Sequence, residues 1–419
     1  MICKFGGGTL KGTFTSPPSK SYTHRAIILA SSADGKSIVE NPLISLDTSS
    51  TANAMASMGA TVIYRNGSLE IDGGELHPPA GAVDVGNSGT TLRLLSGIAS
   101  SFNAPVTLTG DESIRKRPMG PLLDALAGIG VKCSSDDGRP PVTICGPNPG
   151  GNISVKGDVS SQFISSLIMS SPFLKNDSFI SINGKIVSRP YIDITVKIMK
   201  DFGINVTERN GFFVKGMQRY VPRKYTVPAD MSSAAFPLVG GALSGSVTMK
   251  GFDKDDPQGD KRIIDILKET GADVKLSGND VTVSRNELNG CSVDLSDIPD
   301  LFPIVAVLLS TAKGKSELYG APHLRHKESD RIDSVTRMLK TLGADIRATD
   351  DGCVINGVTR LKGGKVNNMG DHRIMMSSAI ASLVSDFPIV TDNAECCSVS
   401  YPDFIRSMKK MEMVTECTD

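Results

Sequence analysis

Helical segments with a polar start recur six times along the chain. Each begins with small polar residues, continues as an apolar run of helical length, and leads after a short break into a β-prone run. Their starts recur at a spacing of roughly 70 residues, which indicates an internal repeat. The helical segments and their strands are residues 19–31 with 37–39, 87–100 with 106–108, 160–170 with 179–182, 230–243 with 247–249, 297–310 with 316–318, and 371–383 with 388–390.

An amphipathic helix followed by a β-hairpin alternates with these segments, as in residues 55–72, 122–144, 198–214, 266–283 and 338–355. Asn66-Gly67 and Asn210-Gly211 are strong hairpin-turn sequences, and Ser277-Gly278 is a weaker one. A glycine is predicted to follow the C-terminus of each helix, where a left-handed backbone favours it: Gly59, Gly130, Gly203, Gly271 and Gly343. Each repeat is therefore predicted to be βαβαββ, which makes the chain an α/β protein.

Residues 225–228 divide the repeats into two groups of three. We place one crossover between domains there and a second near residues 16–18, so that the N-terminal strand belongs with the C-terminal half. The predicted domains are residues 17–227 and residues 1–16 plus 228–419. Pro237 and Pro303 lie inside apolar runs, so they are expected to kink or delay those helices.

Composition excludes two classes of function. The chain has 45 Lys and Arg against 45 Asp and Glu, whereas nucleic-acid and membrane-surface proteins carry an excess of basic residues. The longest apolar runs are too short to span a bilayer, and the start MICKFGGG lacks the apolar core of a signal peptide. We expect no nucleic-acid partner and no membrane partner.

The eight cysteines are scattered along the chain, without a CxxC motif or the Cys/His spacing of a zinc site. Cys396 and Cys397 are adjacent, which is poor geometry for a disulfide between them. All eight are expected to be reduced thiols of a cytoplasmic protein.

Residues 86–95, GNSGTTLRLL, are typical of a helix start that binds an anion. Asn87 or Ser88 is a suitable N-cap, and Gly89 lets a ligand approach the backbone closely. The free N–H groups and the positive end of the helix dipole favour an anion at such a start. Taken alone, the stretch is better explained as an ordinary capped helix.

Cationic side chains lie at or beside several helix starts: Lys20, Arg25, Arg93, Arg117, Lys327, Arg331 and Arg373. A lysine at a helix start opposes the dipole, so an anion is expected beside Lys20. If the helices of each half run parallel, their starts meet at one end of that half. Two such ends form a cleft for a polyanionic small molecule, whose phosphate and carboxylate groups suit arginine. A solvated basic surface is the other interpretation.

Asp300 and Glu328 are then expected to be the only carboxylates near these cations in the cleft, and acid–base chemistry is their natural role. Asp300 follows Pro299 at a helix start and could equally be a cap. Lys327 and Arg331 are four residues apart and are predicted to share a helix face beside Glu328, where a salt-bridged surface helix is the alternative.

Eight tracts, in order along the whole chain, resemble the enolpyruvyl transferase family: PSKSYTHRA, GNSGTTLR, RKRPM, VSSQF, SRPYID, IPD, RHKESDR and GDHR. The resemblance implies a two-domain inside-out α/β barrel of six βαβαββ repeats, three per domain, with the active site in the interdomain cleft. It also implies domain closure, a cytoplasmic monomer, and no metal or organic cofactor.

The tracts are most similar to members that transfer the enolpyruvyl group of phosphoenolpyruvate to the 5-hydroxyl of shikimate 3-phosphate in aromatic amino acid biosynthesis, and that glyphosate inhibits. Members acting on UDP-N-acetylglucosamine are the alternative. They typically have Lys-Asn at the first helix and a reactive cysteine before Arg-Pro, whereas this chain has Lys20-Ser21 and no cysteine in residues 111–118. A non-catalytic anion-binding protein would not need both Asp300 and Glu328.

The resemblance also implies roles for individual residues. Shikimate 3-phosphate would contact Lys20, Ser21, Arg25, Ser160, Ser161, Gln162, Ser188, Asp300, His323 and Lys327. Phosphoenolpyruvate would contact Lys20, Asn87, Gly89, Arg117, Gln162, Arg331 and Arg373. The catalytic residues would be Lys20, Asp300 as base and Glu328 for proton exchange at the enol methylene. Two positions depart from the pattern, since Val399 replaces a frequent lysine and His323 stands where some members have asparagine.

Overall fold

The computed structural model describes residues 1–418. Within that range the chain forms 24 strands and twelve α-helices. The strands are β1 Ile2–Phe5, β2 Lys11–Thr15, β3 Gly35–Glu40, β4 Thr61–Arg65, β5 Ser68–Gly73, β6 Val83–Asp84, β7 Val106–Thr109, β8 Lys132–Asp136, β9 Arg139–Cys145, β10 Gly151–Lys156, β11 Ser178–Asn183, β12 Val206–Glu208, β13 Phe212–Val214, β14 Lys224–Thr226, β15 Ser246–Lys250, β16 Asp273–Ser277, β17 Asp280–Ser284, β18 Ser292–Asp294, β19 Lys315–Tyr319, β20 Asp345–Ala348, β21 Cys353–Asn356, β22 Gly364–Val366, β23 Ile389–Thr391 and β24 Thr415–Thr418.

Six helices, at residues 20–31, 89–100, 161–170, 231–244, 302–309 and 372–381, occupy the positions that the polar starts and apolar runs predict, whereas the last helix was not predicted. The helices are α1 Lys20–Ser31, α2 Leu46–Ser57, α3 Gly89–Ser100, α4 Gly120–Ala127, α5 Ser161–Ser170, α6 Pro190–Asp201, α7 Met231–Ser244, α8 Ile263–Glu269, α9 Phe302–Leu309, α10 Arg331–Thr341, α11 His372–Ala381 and α12 Phe404–Lys410.

Every sheet has four strands in the same arrangement. Two parallel strands lie side by side, and two further strands extend the second of them in antiparallel order. In five sheets these two strands form a hairpin, whereas in the sixth they are β1 and β24, which are distant in sequence. The strand orders are β14-β3-β5-β4, β6-β7-β9-β8, β10-β11-β13-β12, β16-β17-β15-β2, β18-β19-β21-β20 and β22-β23-β1-β24. The six sheets confirm the prediction of six βαβαββ repeats.

The chain divides into two compact units. Unit N is Pro18–Pro228, and unit C is Met1–Pro17 together with the chain from Ala229 onward. Each unit contains three of the sheets. In unit C, β2 opens the first sheet by pairing with β15, and β1 completes the last sheet between β23 and β24.

The core of each unit is made of helices that are buried on nearly all sides, namely α1, α3 and α5 in unit N and α7, α9 and α11 in unit C. Small residues let these helices approach closely. The Gly97 N–H donates to Ser166 Oγ at 2.9 Å, and a Cβ at Gly97 would lie 2.3 Å from the Ser166 carbonyl oxygen. Only glycine therefore fits where α3 crosses α5.

The glycines predicted at helix ends and one of the two prolines predicted to disturb a helix agree with the structure. The five glycines predicted to follow helix C-termini all have a positive φ, between 86° and 112°. Pro303 lies in the first turn of α9, which starts only after a 3₁₀ turn over Pro299–Leu301, so its predicted delay of the helix is confirmed. Pro237 lies inside α7 without ending it.

The expectation of eight reduced cysteines is wrong for one pair. Cys3 and Cys417 lie opposite each other in the antiparallel pair of β1 and β24 and form a disulfide. The two residues are 414 positions apart, so their pairing depends on the N-terminal strand joining the last sheet. Nothing in the local sequence around either cysteine indicates that contact.

We predict that protein purified without reductant carries six alkylatable thiols after denaturation. The six are Cys133, Cys145, Cys291, Cys353, Cys396 and Cys397. Mass spectrometry after alkylation measures the number, and prior reduction should raise it to eight. Eight labels without reduction would contradict the disulfide, and peptide mapping would identify the pair.

Candidate functional site

A cation lies directly over the start of α3 in unit N. Ser88 is the N-cap, with its side chain accepting the Thr91 N–H at 3.2 Å. Arg117 Nη2 donates to Asn87 Oδ1 at 3.1 Å, and a Cβ at Gly89 would lie 2.6 Å from Arg117 Nη1. The guanidinium, the helix dipole and the absent Cβ together make this start a suitable anion site.

The start of α5 lies beside the same helix. Gln162 Nε2 donates to Thr90 Oγ1 at 2.9 Å, and Arg93 Nη1 donates to Gln162 Oε1 at 2.9 Å. These two bonds fix the orientation of the Gln162 amide. Ser160 caps α5 through the Gln162 N–H at 3.3 Å, and Ser161 is the first residue of that helix.

The anion that the position of Lys20 requires is Asp47. Lys20 Nζ lies 3.0 Å from Asp47 Oδ2, and only 15% and 11% of the two side chains are exposed. Asp47 lies in the first turn of α2, next to the Ser45–Thr48 capping box. Asp47 was not recognisable from sequence, because its local pattern is that of an ordinary helix start.

Arg25 is buried inside unit N and bonded to protein groups. Nε donates to Thr195 Oγ1 at 2.7 Å, Nη1 donates to the Ser21 carbonyl at 2.9 Å, and Nη2 donates to the Tyr191 carbonyl at 3.1 Å. Burial lowers the pKa of Arg25 to about 10. The residue therefore ties α1 to α6 and fixes the backbone at Ser21. Ser188, just before α6, is buried with a φ of 54°.

Arg331 organises a second cluster, in unit C. Its Nε donates to Asp371 Oδ2 at 2.9 Å, Nη1 to Asp300 Oδ1 at 2.8 Å, and Nη2 to Glu328 Oε2 at 2.6 Å. The side chain is only 1% exposed. One guanidinium thus holds three carboxylates, with bonds of the charge-assisted kind.

Asp300 lies among three cations. Arg331 Nη1 and Arg373 Nη2 each lie 2.8 Å from its carboxylate oxygens, and Lys327 Nζ lies 3.9 Å away. Burial alone would raise the pKa of Asp300, but Arg373, Lys327 and Arg331 hold it below its usual range. Asp300 lies inside the 3₁₀ turn Pro299–Leu301, whose N-cap position is Ile298. The carboxylate is therefore ion-paired, and the cap interpretation does not describe its position.

The predicted helix face shared by Lys327 and Arg331 is wrong. Helix α10 begins at Arg331, because Asp330 caps it by accepting the Asp333 N–H at 3.1 Å. The preceding 3₁₀ turn ends at His326, so Lys327 lies in a non-helical connection. Glu328 still reaches Arg331 from this connection, as an ion pair in the cluster rather than on a surface helix.

Asp300 and Glu328 are not the only carboxylates in this cluster. Asp371 is fully buried and caps α11 by accepting the Arg373 N–H at 2.9 Å. Burial would raise the pKa of Asp371, but the Arg331 cation lowers it below the usual value. The GDHR tract indicated a polar helix start there, and the helix-cap signal was enough to find Asp371 but not its bond to Arg331.

Asp260 is a further buried carboxyl, and its local sequence does not indicate its burial. It accepts from Ser232 Oγ through Oδ2, and within residues 1–418 Oδ1 has no hydrogen-bond partner. Burial raises the pKa of Asp260 to about 7, with Asp300 and Asp230 adding to the rise and Arg373 and Ser232 opposing it. Between about pH 4 and pH 7, Asp260 therefore keeps a proton in the folded protein that it releases in the unfolded chain, where the pKa of an aspartate is about 3.9.

Asp260→Asn is expected to change the pH dependence of stability. Because the folded pKa is raised, the contribution of Asp260 to wild-type stability is fully present below about pH 4 and declines as the pH rises toward 7. The uncharged asparagine removes this decline, so from pH 5 to pH 8 the variant should gain about 1–3 kcal/mol relative to wild type. Urea unfolding of both proteins at both pH values measures the difference in stability between variant and wild type. The contributions of other titrating groups cancel in this difference. A pH-independent difference would contradict the raised pKa.

His323 is buried beside this cluster. Within the described chain, neither of its ring nitrogens has a hydrogen-bond partner. Burial, followed by the Lys327 charge, lowers the pKa of His323 to about 3, so the ring is neutral. Val399 ends the 3₁₀ turn Ala394–Val399 and is half-buried.

Two negative findings apply to residues 1–418. They contain no group of three His, Cys, Asp or Glu side chains placed to hold a metal ion. They also contain no helix that is both long and apolar enough to cross a membrane.

The fold is that of an α/β protein with a cluster of cationic side chains in each of its two units. A family model described as EPSP synthase (3-phosphoshikimate 1-carboxyvinyltransferase) matches residues 5–408. The 3-phosphoshikimate 1-carboxyvinyltransferases of Methanocorpusculum labreanum and Methanocaldococcus jannaschii are 46% identical over 406 residues and 44% identical over 411 residues, each covering 96% of both chains. The chain therefore belongs to the EPSP synthase family, whose members are transferases of the shikimate pathway.

Solved structures agree with this assignment. The EPSP synthase of Acinetobacter baumannii is 30% identical and has a TM-score of 0.82 over the full length of both chains. The enolpyruvyl transferase NikO from Streptomyces tendae has the same TM-score at 16% identity, which shows the shared fold alone. The resemblance drawn from the eight tracts is confirmed, and the relatives do not favour the UDP-N-acetylglucosamine alternative.

Proposed function

We propose that the chain transfers the enolpyruvyl group of phosphoenolpyruvate to the 5-hydroxyl of shikimate 3-phosphate and releases phosphate. The observation that carries the proposal is the Asp300 carboxylate set among Arg331, Arg373 and Lys327. A carboxylate there can accept a proton from a hydroxyl, while the cations bind the phosphate and carboxylate groups of the reactants. Family membership supplies the identity of the reactants.

In unit N, phosphoenolpyruvate is proposed to bind at the start of α3, where Gly89, Asn87 and Arg117 converge, with Gln162 beside them. Shikimate 3-phosphate is proposed to contact Ser160, Ser161, Ser188 and Ser21, with Lys20 reaching both reactants. Arg25 is bonded to protein groups. This supports a role in holding Ser21 and α1 in place for the phosphate group of shikimate 3-phosphate.

In unit C, Asp300 is the proposed base and Glu328 the proposed group for proton exchange at the methylene carbon. Both carboxylates are ion-paired to Arg331. For Asp300 the charges of Arg373, Lys327 and Arg331 outweigh the effect of burial and lower the pKa, which makes this carboxylate a weak base. We propose that the phosphoenolpyruvate anion takes over Arg331 and Arg373 and so raises the basicity of Asp300. His323 and Lys327 are proposed to contact shikimate 3-phosphate.

The direct test is phosphate release from phosphoenolpyruvate with each acceptor in turn. Turnover is expected with shikimate 3-phosphate and not with UDP-N-acetylglucosamine, and glyphosate should inhibit by competing with phosphoenolpyruvate. Turnover with the nucleotide sugar alone would contradict the proposal. Binding of both reactants without phosphate release would instead support a non-catalytic anion-binding protein.

We further propose a cytoplasmic monomer that needs neither a metal nor an organic cofactor. Six free cysteines among the described residues favour a compartment that keeps thiols reduced, whereas the Cys3–Cys417 disulfide weighs against it. Acid quenching of intact cells followed by alkylation distinguishes the two, since a cytoplasmic protein should carry reduced Cys3 and Cys417 before purification. Phosphate release after treatment with a chelator tests the absence of a metal.

A further inference from the structure

A buried series of hydrogen bonds joins the first three helices of unit N. His24 Nδ1 on α1 lies 2.7 Å from Thr51 Oγ1 on α2, which lies 2.6 Å from Thr91 Oγ1 on α3. Thr91 Oγ1 also lies 2.6 Å from Ser88 Oγ, the N-cap of α3. All four side chains are fully buried. The family tracts assign no role to His24, Thr51 or Thr91.

One arrangement of protons satisfies this series. In this arrangement the Thr91 hydroxyl donates to the Asp47 carbonyl at 3.4 Å, Thr91 accepts from Thr51 and Ser88, and Thr51 accepts from His24 Nδ1–H. His24 Nε2 then carries no proton. Within residues 1–418 that nitrogen has no partner, and a buried N–H without one is rarer than a buried acceptor without one. Burial, then the charges of Lys20 and Arg25, lower the pKa of His24, which keeps the ring neutral.

The series connects the helix starts that carry the proposed substrate contacts. Asp47, whose carbonyl ends the series, forms the ion pair with Lys20, and Ser88 precedes Gly89. Arg25, the residue after His24, bonds Thr195 on α6 and lies 3.4 Å from Ser165 Oγ on α5. Two consecutive residues of α1 therefore connect to four other helices. His24 is bonded to α2 and, through Thr51, to α3, and Arg25 is bonded to α5 and α6.

We propose that His24, Thr51 and Thr91 are positioning residues that hold the starts of α1, α2 and α3 in the arrangement that binds phosphoenolpyruvate. This inference rests on the proposed function, because the ligand is the reactant placed at Gly89. None of the three side chains reaches solvent, so each acts through Lys20, Asp47 or the backbone of Ser88 and Gly89. An anion bound at these starts is held equally in the ground state and in the transition state, so loosening them weakens binding rather than chemistry.

Thr51→Val removes one hydroxyl and keeps the shape of the side chain. We expect the KM for phosphoenolpyruvate to rise about 5–10-fold, which is the order of one buried hydrogen bond, with kcat within about two-fold of wild type. Thr51→Ser restores the hydroxyl and should restore KM. The matched control is Thr107→Val, which breaks the 2.8 Å pair with Thr143 on the sheet of the same unit and should leave KM unchanged.

A purely structural role predicts a different outcome, namely a lower melting temperature and less active protein with an unchanged KM. That result for Thr51→Val would overturn the proposal, as would an equal rise in KM for Thr107→Val. Equilibrium binding of phosphoenolpyruvate to wild type and variants should follow the KM values.

The proton arrangement has its own test that needs no turnover. Two-bond ¹H–¹⁵N NMR of labelled protein should show His24 as the neutral Nδ1–H tautomer from pH 5 to pH 8, with the signal assigned by its loss in His24→Asn. An Nε2–H tautomer would contradict this arrangement of protons. If wild type releases no phosphate at all, the proposed function fails, while the NMR result still decides whether the hydrogen-bonded series exists.

Discussion

Asp300→Asn is expected to lower kcat for phosphate release by about 10²–10⁴-fold, the usual contribution of a general acid or base. The amide keeps the shape of the carboxylate but cannot accept the hydroxyl proton. Arg331, Arg373 and Lys327 lose one counter-charge and remain available to the anionic reactants. The KM values should therefore stay near those of wild type or fall.

Steady-state phosphate release with both reactants varied separates kcat from KM. Asp386→Asn is a matched control, because it makes the same change in an exposed ion pair with Arg360 in the same unit and should leave kcat unaltered. Near-normal kcat in Asp300→Asn would show that the carboxylate only holds the arginines. In wild type, the acidic pKa of the kcat profile should lie above that of the kcat/KM profile if bound reactants neutralise the cations around Asp300.

What could be predicted from the sequence is what short-range rules determine. The helix at Gly89 follows from a polar start and an apolar run, and the glycine at each helix end follows from the left-handed backbone needed there. The repeat itself follows from the recurrence of those two signals. At residues 327–331 two local signals disagreed. The four-residue spacing of Lys327 and Arg331 predicted a helix that contains both, whereas the Asp330 cap starts the helix at Arg331.

The rest depends on contacts between distant parts of the chain. Lys20 and Asp47 both sit at helix starts, but only the packing of α1 against α2 brings them to 3.0 Å. Cys3 and Cys417 pair because β1 completes the last sheet. The sequence around Asp260 is typical of a surface turn. The raised pKa of Asp260 arises from burial beside α7 and from the nearby charge of Asp300. The cations, Asp300 and Glu328 were therefore recognisable from sequence, whereas Asp47 and the bond of Asp371 to Arg331 were not.

Arg331→Met is expected to lower the free energy of unfolding of unit C by about 3–5 kcal/mol, because removing one partner of a buried ion pair leaves the other charge uncompensated. Here three carboxylates, Asp300, Glu328 and Asp371, lose the same cation, and Asp371 is fully buried. Urea unfolding followed by circular dichroism measures the loss. Hydrogen exchange of the α10 and α11 amides should place it in unit C.

Arg337→Met is the matched control for this change. Arg337 lies on the same helix, is 66% exposed, and pairs with Asp333 four residues earlier, so its loss should cost less than about 1 kcal/mol. Equal losses for the two variants would mean that the cluster adds no more than a surface pair.

The loss in Arg331→Met should also depend on pH. Arg331 depresses the pKa of Asp371, so the stability it contributes is present above the aspartate pKa of the unfolded chain and is lost as the pH falls through the folded pKa. In the variant the carboxylates take up protons more readily. The difference between wild type and variant should therefore be largest at neutral pH and shrink below about pH 4. A difference that stays constant down to pH 3 would mean that lost packing of the arginine stem, and not its charge, accounts for the destabilisation.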